Sequence, residues 1–435
     1  MQALDSPPEG RSGDPDVRVA TAILQELFGA HFVENFAIEF WDGSRLPARN
    51  AEEFCLKITD PGALRLAFVP PIDLNAGRAF AAGLLDVEGD IEAAVDTLYL
   101  CMQKFSKFKG PLLLARLLRL PKRNFPALRE AHLHGKIHSA QRDRVAIGFH
   151  YDQPVEFYRT FLGSELVYSC AYFDEGIEDV ESAQLAKLDY VLRKLRVQPG
   201  ERLLDIGCGW GALVIRAAQK FGVKAVGITL SRQQFEEAQR RISAAGLQGQ
   251  ASVELQDYRE VGAATFDKIA SVGMVEHVGR DRLKEYFSKA FSILRRGGLF
   301  LNHGIAEQSP GRTGGKVTGF IERFVFPDGE LVSISDSLQF AERTGFEVRD
   351  VENLREHYMR TLRAWVKNLE NAKDHAVEEA GAQAYRTWRL YMAGSAQGFR
   401  IGRMGLFQSL LAKPNNDGSI GDLPATRRDL YQTVR

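Results

Sequence analysis

Short apolar runs alternate with longer stretches of helical periodicity from residue 199 onward. Strands that are buried on both faces of a parallel sheet read as short apolar runs, and the segments between them form crossover helices. The pattern therefore predicts an α/β fold with a doubly wound parallel sheet. The predicted strands cover residues 202–206, 224–228, 252–255, 267–272 and 299–303, and the predicted helices cover residues 212–220, 231–245 and 281–294.

The N-terminal part of the chain has a different pattern. Residues 1–16 are rich in Pro, Gly and Asp and predict a disordered tail. Apolar positions at helical spacing predict an amphipathic helix over residues 17–28. Residues 36–43 alternate in part and end in Asp-Gly, which indicates a strand that runs into a turn. We therefore expect a smaller α+β domain over residues 17–100.

Residues 101–147 form a predicted basic linker. Its first part, residues 102–129, contains eight Lys or Arg residues and no acidic residue. Two interpretations stay open: a helix that lies on anionic lipid headgroups, or a linker helix packed on the core. Five leucines lie within about two helical turns, flanked by Arg116 and Arg119. These leucines are Leu113, Leu114, Leu117, Leu118 and Leu120.

Composition narrows the classes of function. The chain of 435 residues is 45% hydrophobic, enough for a sizeable core in two or three domains. Lys and Arg number 56, as do Asp and Glu, so no global charge favours nucleic acid as a partner. The N-terminus lacks the pattern of a signal peptide, and no apolar run approaches the roughly 20 residues of a membrane span. The expected location is cytoplasmic, with reduced thiols at the four cysteines.

A glycine-rich loop follows the first predicted strand of the parallel sheet. Gly207, Gly209 and Gly211 stand between an apolar strand and a helix, where glycine allows a tight turn and close approach of a ligand. Such a loop could serve NAD, FAD or S-adenosylmethionine. Asp205, just before the loop, suits a cationic ligand group better than a pyrophosphate. The sequence therefore favours S-adenosylmethionine.

The next strand lacks the acidic residue that dinucleotide folds supply to the ribose. Thr229 and Gln234 are the polar residues that could replace it. Ser231 is interpreted as the N-cap of the following helix. His132, His134 and His138 are interpreted as solvated linker histidines rather than metal ligands, since no Cys or carboxylate cluster accompanies them, and no metal is expected.

Several ordered segments resemble the cyclopropane fatty acid synthase family, including the mycolic acid cyclopropane synthases. The resemblance covers residues 148–410, and one departure from it is Gln153-Pro154-Val155 after the His-Tyr-Asp triplet. The segments are YSCAYF at 168–173, SAQLAKL at 182–188, LLDIGCGWG at 203–211, GITLS at 227–231, QDYR at 256–259, SVGMVEHVG at 271–279, FVFPDG at 324–329 and YMRTLRAW at 358–365.

The resemblance implies a Rossmann-like class I methyltransferase domain over residues 148–435, with a bound S-adenosylmethionine and a bound bicarbonate. The residues that it places at the cofactor are Tyr168 and Ser169 at the methionine carboxylate, Gly207 and Gly209 in the loop beside Asp205, Thr229 and Gln234 at the ribose, and Asp257 and Tyr258 near the adenine. The residues that it places around the bicarbonate are Cys170, Glu276, His303, the backbone of Ile305, and Tyr358.

The implied reaction transfers a methylene unit from S-adenosylmethionine to the cis double bond of an unsaturated membrane phospholipid. The carbocation left by methyl transfer would lose a proton to bicarbonate and close a cyclopropane ring. A protein that does this is expected to act peripherally at the anionic inner face of the membrane, with residues 17–100 as its lipid- or membrane-associated domain. A homodimer that holds the membrane through two basic segments is a further hypothesis.

Three alternatives remain at this point. Loss of a proton from a chain carbon would give a methylene- or methyl-branched lipid instead of a ring. A methyltransferase for a small soluble metabolite would leave the basic segment without a role. A non-catalytic lipid-binding protein would have kept the fold alone.

In the implied reaction, the aromatic rings of Phe173, Phe324 and Tyr258 are candidates to stabilise the carbocation.

Overall fold

The computed structural model describes residues 13–104, 110–262, 265–308, 315–316, 319–420 and 423–431. Most of the predicted N-terminal tail lies outside these residues. The chain divides into two compact units. The first unit comprises Met1–Glu130, Thr318–Phe320 and Ala380–Gln397, and the second comprises Ala131–Val317, Ile321–Glu379 and Gly398–Arg435. The predicted domain boundaries near residues 100 and 147 were based on local composition. Local composition does not show that residues from later in the chain, such as Ala380–Gln397, belong to the first unit.

The first unit contains a four-stranded sheet in the order β2-β1-β3-β4. Strands β1 and β3 are parallel, and the two other pairs are antiparallel. The elements are α1 (Pro15–Phe28), β1 (Phe36–Glu39), β2 (Arg45–Leu46), β3 (Phe54–Ile58), α2 (Ala63–Phe68), α3 (Ile72–Ala81), β4 (Leu85–Gly89), α4 (Ile91–Lys104) and α5 (Gly110–Leu117).

The predicted first helix is confirmed as α1. Asp14 caps it by accepting a hydrogen bond from the backbone N–H of Asp16, and the chain leaves it at Gly29 with a positive φ of 53°. Its apolar face, which includes Ile23 and Leu24, is fully buried in the core of the unit. The predicted strand is confirmed as β1, and its Asp-Gly turn ends at Gly43 with a φ of 81°.

Helix α5 lies in the predicted basic linker and has two faces. Leu113, Leu117 and Leu120, the last just beyond the helix, are buried in the core of the first unit. Leu114 and Leu118 are 40% and 54% exposed. The linker is therefore packed on the core along one face only, and the opposite face leaves large apolar side chains in solvent.

The second unit is built on a larger sheet, with helices on both sides. Its elements are α6 (Ala140–Tyr151), α7 (Val155–Leu162), α8 (Val180–Lys194), β5 (Arg202–Ile206), α9 (Ala212–Phe221), β6 (Lys224–Thr229), α10 (Arg232–Ala244), β7 (Ala251–Leu255), β8 (Phe266–Val272), α11 (Leu283–Ile293), β9 (Leu294–Glu307), β10 (Gly315–Lys316), α12 (Gly319–Phe324), β11 (Glu330–Ser333), α13 (Ile334–Thr344), β12 (Glu347–Asn353), α14 (Arg355–Asn371), α15 (Lys373–Arg400), β13 (Met404–Ala412) and α16 (Arg428–Tyr431). Helices α12 and α15 also contribute residues to the first unit.

The sheet follows the order β10-β11-β9-β8-β5-β6-β7, and β13 pairs with both β9 and β12. Strands β7, β6, β5, β8 and β9 are parallel, which confirms the predicted α/β class. Strand β13 runs antiparallel to β9. All five predicted strands occur, but β9 extends well beyond its predicted residues 299–303.

Neighbouring residues of β5 point to opposite sides of this sheet. Leu203 belongs to one hydrophobic cluster with α8, α9 and β13, and Leu204 belongs to another with α11 and α13. The buried sheet holds the carboxyl ends of β5, β6 and β8 at one edge, where α/β folds bind ligands. No helix in the described residues is long and apolar enough to cross a bilayer.

Candidate active site

The glycine-rich loop after β5 has positive φ angles, which residues with a side chain rarely adopt. Gly207 has a φ of 80°, and Gly211 is left-handed at the N-cap of α9. Gly227 on β6 supports the loop from the side, because a Cβ there would lie 2.7 Å from both Cβ and Sγ of Cys208. The loop therefore packs tightly on β6, and its backbone borders an open pocket.

The pocket lies at the carboxyl ends of β5, β6 and β8 and is also bordered by α6. Residues from the segment before α8 complete its wall. Eight of the nine residues predicted to bind the cofactor line it. They are Tyr168, Ser169, Asp205, Gly207, Gly209, Thr229, Gln234 and Tyr258.

The polar pair predicted for the ribose is preassembled. The hydroxyl of Thr229 donates to Oε1 of Gln234 at 2.7 Å, and both side chains are buried. Ser231 accepts from the backbone N–H of Gln234 and so caps α10, which confirms its predicted structural role. The cap therefore fixes the first turn of the helix that carries Gln234.

Asp257, the ninth predicted residue, is held by Arg259. The Arg259 guanidinium donates to both oxygens of Asp257, at 2.9 and 2.6 Å, and also to Asp143 of α6 at 3.0 Å. Asp257 is 1% exposed. Asp257 does not line the pocket, but Arg259 does, and its guanidinium lies 5.3 Å from the ring centroid of Tyr258.

Gln153 of the departing segment lies near α10. With its side-chain amide turned so that the nitrogen faces them, Gln233 donates to the backbone oxygens of Tyr151 and Gln153, at 3.0 and 2.9 Å. Tyr151 lines the pocket, and Pro154 begins α7 as its N-cap. The departing segment is therefore tied to the helix that carries Gln234.

Lys187 is a pocket residue that the sequence analysis did not select. It is 2% exposed, and its Nζ donates to Oγ of Ser169 at 2.9 Å. Burial lowers the pKa of Lys187 to about 8 and raises the pKa of Asp205 to about 7. Oδ1 of Asp205 has no partner among the described residues. The pocket thus offers a buried cation and a carboxyl group to an amino acid zwitterion.

A second group of polar atoms lies behind the loop that follows β8. Gly273 and Met274 of this loop line the pocket, and Glu276 comes two residues later. Oε1 of Glu276 accepts from the backbone N–H of Ile305 at 2.7 Å, whereas Oε2 is buried with no partner in the described part of the chain. Burial raises the pKa of Glu276 to about 7. Ile305 therefore holds the glutamate in this structure.

His303 lies two residues before Ile305 on β9, and its carbonyl accepts from the N–H of Gly273 at 2.8 Å. Its Nδ1 lies 3.1 Å from Nε2 of Gln408, and its own Nε2 has no partner among the described residues. Burial lowers the pKa of His303 well below its usual value, with Lys187 and Lys194 adding to the effect. The imidazole is therefore neutral near pH 7.

Cys170 and Tyr358 meet at the start of α14. Sγ of Cys170 lies 3.8 Å from the carbonyl oxygen of Leu354, and the same carbonyl accepts from the N–H of Tyr358. Burial raises the pKa of Cys170, so it stays a thiol. The ring of Tyr358 packs against Phe399 at 4.8 Å and Trp365 at 6.3 Å.

One sequence interpretation is wrong. His138 is not a solvated linker residue: it is 8% exposed, with Nε2 3.7 Å from Glu330 and Nδ1 3.9 Å from Asp143. The nearby Glu330 carboxylate raises the pKa of His138. A linker histidine can be buried by loops that come from later in the chain, which composition does not show. In the described residues, no three His, Cys, Asp or Glu side chains are placed to hold a metal.

The residues present fit both predicted small molecules. The zwitterionic end of S-adenosylmethionine matches Lys187 and Asp205, and its ribose matches Thr229 and Gln234. A small oxyanion with one acidic hydrogen needs an acceptor and a donor, and the described residues include two buried atoms of these kinds without partners, Oε2 of Glu276 and Nε2 of His303.

The chain is similar to several known proteins. The model of the mycolic acid cyclopropane synthetase family matches residues 138–409. A probable fatty acid methyltransferase from Pseudomonas putida is 38% identical over 91% of this chain and 96% of its own length. The structure of the cyclopropane synthase MmaA2 from Mycobacterium tuberculosis superposes with a TM-score of 0.59 at 33% identity, covering 62% of this chain and 97% of that one.

A structure of the mycolic acid cyclopropane synthase CmaA1 complexed with SAH and CTAB gives a TM-score of 0.58 at 34% identity, over 62% of this chain and 97% of that chain. The matched region contains the glycine-rich loop, the Thr229–Gln234 pair and the Glu276–Ile305 contact. The chain belongs to the mycolic acid cyclopropane synthetase family and is an S-adenosylmethionine-dependent methyltransferase with a Rossmann-like fold that transfers a one-carbon unit to lipid.

Proposed function

We propose that this enzyme converts the cis double bond of an unsaturated phospholipid acyl chain into a cyclopropane ring, with bicarbonate as the base. The observation that carries the proposal is the pair of buried polar atoms without partners, Oε2 of Glu276 and Nε2 of His303. They lie on the two chain segments joined by the Gly273–His303 hydrogen bond, next to the loop that lines the cofactor pocket.

The protein must bring a weak nucleophile, the alkene, to an electrophilic carbon in a site without water. S-adenosylmethionine, when bound, supplies that carbon as a methyl group on a positive sulfur. Lys187, Ser169 and Asp205 would hold its amino acid end, and the backbone of the glycine-rich loop would approach it closely. Holding both reactants in line contributes several kcal/mol toward the barrier.

Aromatic rings run from the cofactor pocket toward Tyr358. Tyr168 lines the pocket and packs on Trp365 at 5.4 Å, and Trp365 packs on Tyr358. The faces of such rings stabilise a nearby cation by about 0.5–2 kcal/mol each. Phe173 is less suited to this role, because Arg360 already lies 4.1 Å from its ring centroid.

Bicarbonate would supply a base that is small, captive and unable to form a lasting bond to the chain. Oε2 of Glu276 would accept from its hydroxyl, and Nε2 of His303 would donate to one of its oxygens. The N–H of Ile305, predicted to bind it as well, donates to Glu276 in this structure. Ile305 therefore contributes by orienting Glu276.

A methyl- or methylene-branched product is the second candidate. The relative that matches 91% of this chain is named a probable fatty acid methyltransferase, which favours this outcome. The two reactions share the cation and differ only in which proton leaves. The alternative needs no change in the cofactor pocket.

The test is incubation of the purified protein with S-adenosylmethionine and vesicles of cis-monounsaturated phospholipid. Mass spectrometry and NMR of the acyl chains would then report the product. A gain of one CH2 with cyclopropane proton signals is expected. The same gain with olefinic signals establishes a methylene product, and a gain of CH2 with neither signal establishes a different branched product. No gain on any phospholipid overturns the substrate assignment.

The first unit carries exposed leucines in a stretch of chain without acidic residues, a combination that suits the proposed phospholipid substrate. Five large apolar side chains between residues 98 and 118 are 36–54% exposed, and no acidic residue occurs between Asp96 and Glu130. Arg119 and Lys122, which follow Leu118 in the sequence, are exposed as well. The five side chains, which we call the leucine surface, are Leu98, Leu100, Leu112, Leu114 and Leu118.

We propose that the leucine surface docks on an anionic membrane. Leucines would enter the boundary between headgroups and acyl chains, while the basic residues attract anionic lipid by about 1 kcal/mol each. A variant with Leu112, Leu114 and Leu118 changed to Ser is expected to lose most binding to phosphatidylglycerol vesicles in a sedimentation assay. The matched control is Leu255→Ser with Val145→Ser, since both side chains are exposed in the second unit. Equal binding of the triple variant and the control would refute the docking surface.

A further inference from the structure

A buried amide lies directly behind His303. Gln408 on β13 and His303 on β9 are Cα partners in the antiparallel pair, so their side chains emerge side by side on the same face. Both residues are at most 1% exposed, and Nε2 of Gln408 lies 3.1 Å from Nδ1 of His303.

We propose that Gln408 is a positioning residue that holds His303 as the neutral tautomer with its proton on Nε2, so that the ring presents a donor to the anion site. This inference rests on the proposed function of the Glu276–His303 site. The role belongs to the amide rather than to any buried polar residue, because the amide N–H requires Nδ1 to be the acceptor.

The amide nitrogen of Gln408, rather than its oxygen, faces Nδ1 of His303 at 3.1 Å, and this orientation fits one tautomer. When an amide N–H donates to Nδ1, that nitrogen carries a lone pair, and the single proton of the neutral ring must be on Nε2. Nε2 of His303 has no partner among the described residues and is therefore available as a donor. Burial keeps the ring neutral, and the nearby cations Lys187 and Lys194 oppose a second proton.

The energetics also point to a functional residue. Oε1 of Gln408 has no partner in the described part of the chain, and the amide's one recorded hydrogen bond is the one to His303. A buried amide whose oxygen accepts no hydrogen bond lowers the stability of the fold by about 1–3 kcal/mol. An apolar residue at this position would therefore make the sheet more stable. The arrangement stabilises one orientation of His303 at the expense of the fold.

The neutral tautomer suits a site that holds a base. A doubly protonated imidazole would pass a proton to the bound base and consume it. The opposite tautomer would turn a lone pair toward an anion, which is repulsive. With the proton on Nε2, His303 donates a hydrogen bond and keeps the base in its anionic form.

The experiment measures the tautomer itself. Protein labelled with 15N at histidine is studied by long-range 15N–1H correlation at pH 7.5, and the His303 signals are assigned by their loss in His303→Phe. The native protein is expected to show Nε2 protonated and Nδ1 unprotonated. In Gln408→Glu the carboxylate accepts from Nδ1, so the two ring nitrogens are expected to exchange roles.

Turnover is measured on the same variants. Gln408→Glu and Gln408→Met are expected to lower kcat by about 10²–10³-fold, the effect of removing one oriented donor. Affinity for S-adenosylhomocysteine is expected to stay within about twofold. Ser409→Ala is the matched control, since Ser409 is the next buried residue on β13 and its side chain lies on the other face of the sheet. It is expected to keep both the tautomer and kcat.

A native spectrum with Nδ1 protonated would overturn the proposal, as would normal kcat in both Gln408 variants. The spectrum needs neither substrate nor bicarbonate. A protein that shows the expected tautomer but makes no cyclopropane product would therefore contradict the proposed function while leaving the assignment of Gln408 to His303 intact. Circular dichroism of Gln408→Met separates a loss of fold from a loss of positioning.

Discussion

Glu276 is a buried carboxyl group with one satisfied oxygen. Its pKa is raised from 4.5 to about 7 by burial. Because the folded pKa exceeds the unfolded one, protonation favours the fold at low pH, and this contribution is lost as the pH rises through about 7. A shift of this size corresponds to about 3 kcal/mol at alkaline pH.

Glu276→Gln should therefore stabilise the protein more at pH 8.5 than at pH 5. Calorimetric Tm values of wild type and variant across this range check the sign. Glu330→Gln is the opposite control. The nearby His138 lowers the pKa of Glu330, so loss of this carboxylate should destabilise the protein above pH 5. A constant Tm difference for Glu276→Gln between pH 5 and 8.5 would contradict burial of an ionisable carboxyl group.

The same substitution probes catalysis. Glu276→Gln and His303→Ala should retain binding of S-adenosylmethionine and lose about 10²–10⁴-fold in turnover, the range for a group that assists proton transfer. Equilibrium dialysis and a steady-state product assay measure the two quantities. Wild-type rates in either variant would remove Glu276 and His303 from the base site.

Lys187 should govern affinity for the amino acid end of the cofactor. Lys187→Met removes a buried charge-assisted hydrogen bond of about 1.5–3 kcal/mol, so the Kd for S-adenosylhomocysteine should rise by about 10–100-fold. Lys268→Met is the matched control: Lys268 is also a buried lysine of this unit, but it pairs with Glu201.

The pH dependence of this affinity has a defined window. The amine of Lys187 loses its proton as the pH rises through about 8, and Asp205 gains one as the pH falls through about 7. Binding measured by isothermal titration calorimetry should be tightest between these values and weaken on either side. A flat profile from pH 6 to 9 would show that neither group contacts the ligand.

At the scale of elements, the first turn of α10 links stability to cofactor binding. Ser231→Ala should cost about 1 kcal/mol, because it removes the cap from the N–H of Gln234. Ser333→Ala removes the same kind of cap from α13. Both variants should lose similar stability in urea, but only Ser231→Ala should weaken binding of S-adenosylhomocysteine. Equal affinities of the two variants for S-adenosylhomocysteine would show that the Ser231 cap does not contribute to cofactor binding.

At the scale of the whole molecule, ligand binding should stabilise the two units unequally. The described residues of the pocket all belong to the second unit. A ligand at 100 times its Kd stabilises the state that binds it by about 2.7 kcal/mol. Hydrogen exchange with S-adenosylhomocysteine should slow in β5, β6 and α10 and stay unchanged in β1 and β3. Equal protection of both units would show that they open as one.

Local chemistry allowed the sequence to determine much of the second unit. The glycine-rich loop, the cap at Ser231 and all five parallel strands follow from short segments whose backbone needs or periodicity show directly in the residues. The family resemblance added Tyr168, Ser169, Asp257 and Tyr258 to the cofactor residues, and eight of the nine line one pocket. Each of these features depends on residues within a few positions of one another in the sequence, or on a short motif that can be recognised without knowledge of the fold.

Only the tertiary structure decided which distant residues meet. Lys187 reaches Ser169 because α8 packs beside the pocket, and Gln408 reaches His303 across 105 positions of the chain because β13 adds antiparallel to β9. His138 became a buried partner of Glu330 for the same reason. Pairing of strands and burial of charge depend on the whole packed sheet, so the periodicity of any one segment could not show them.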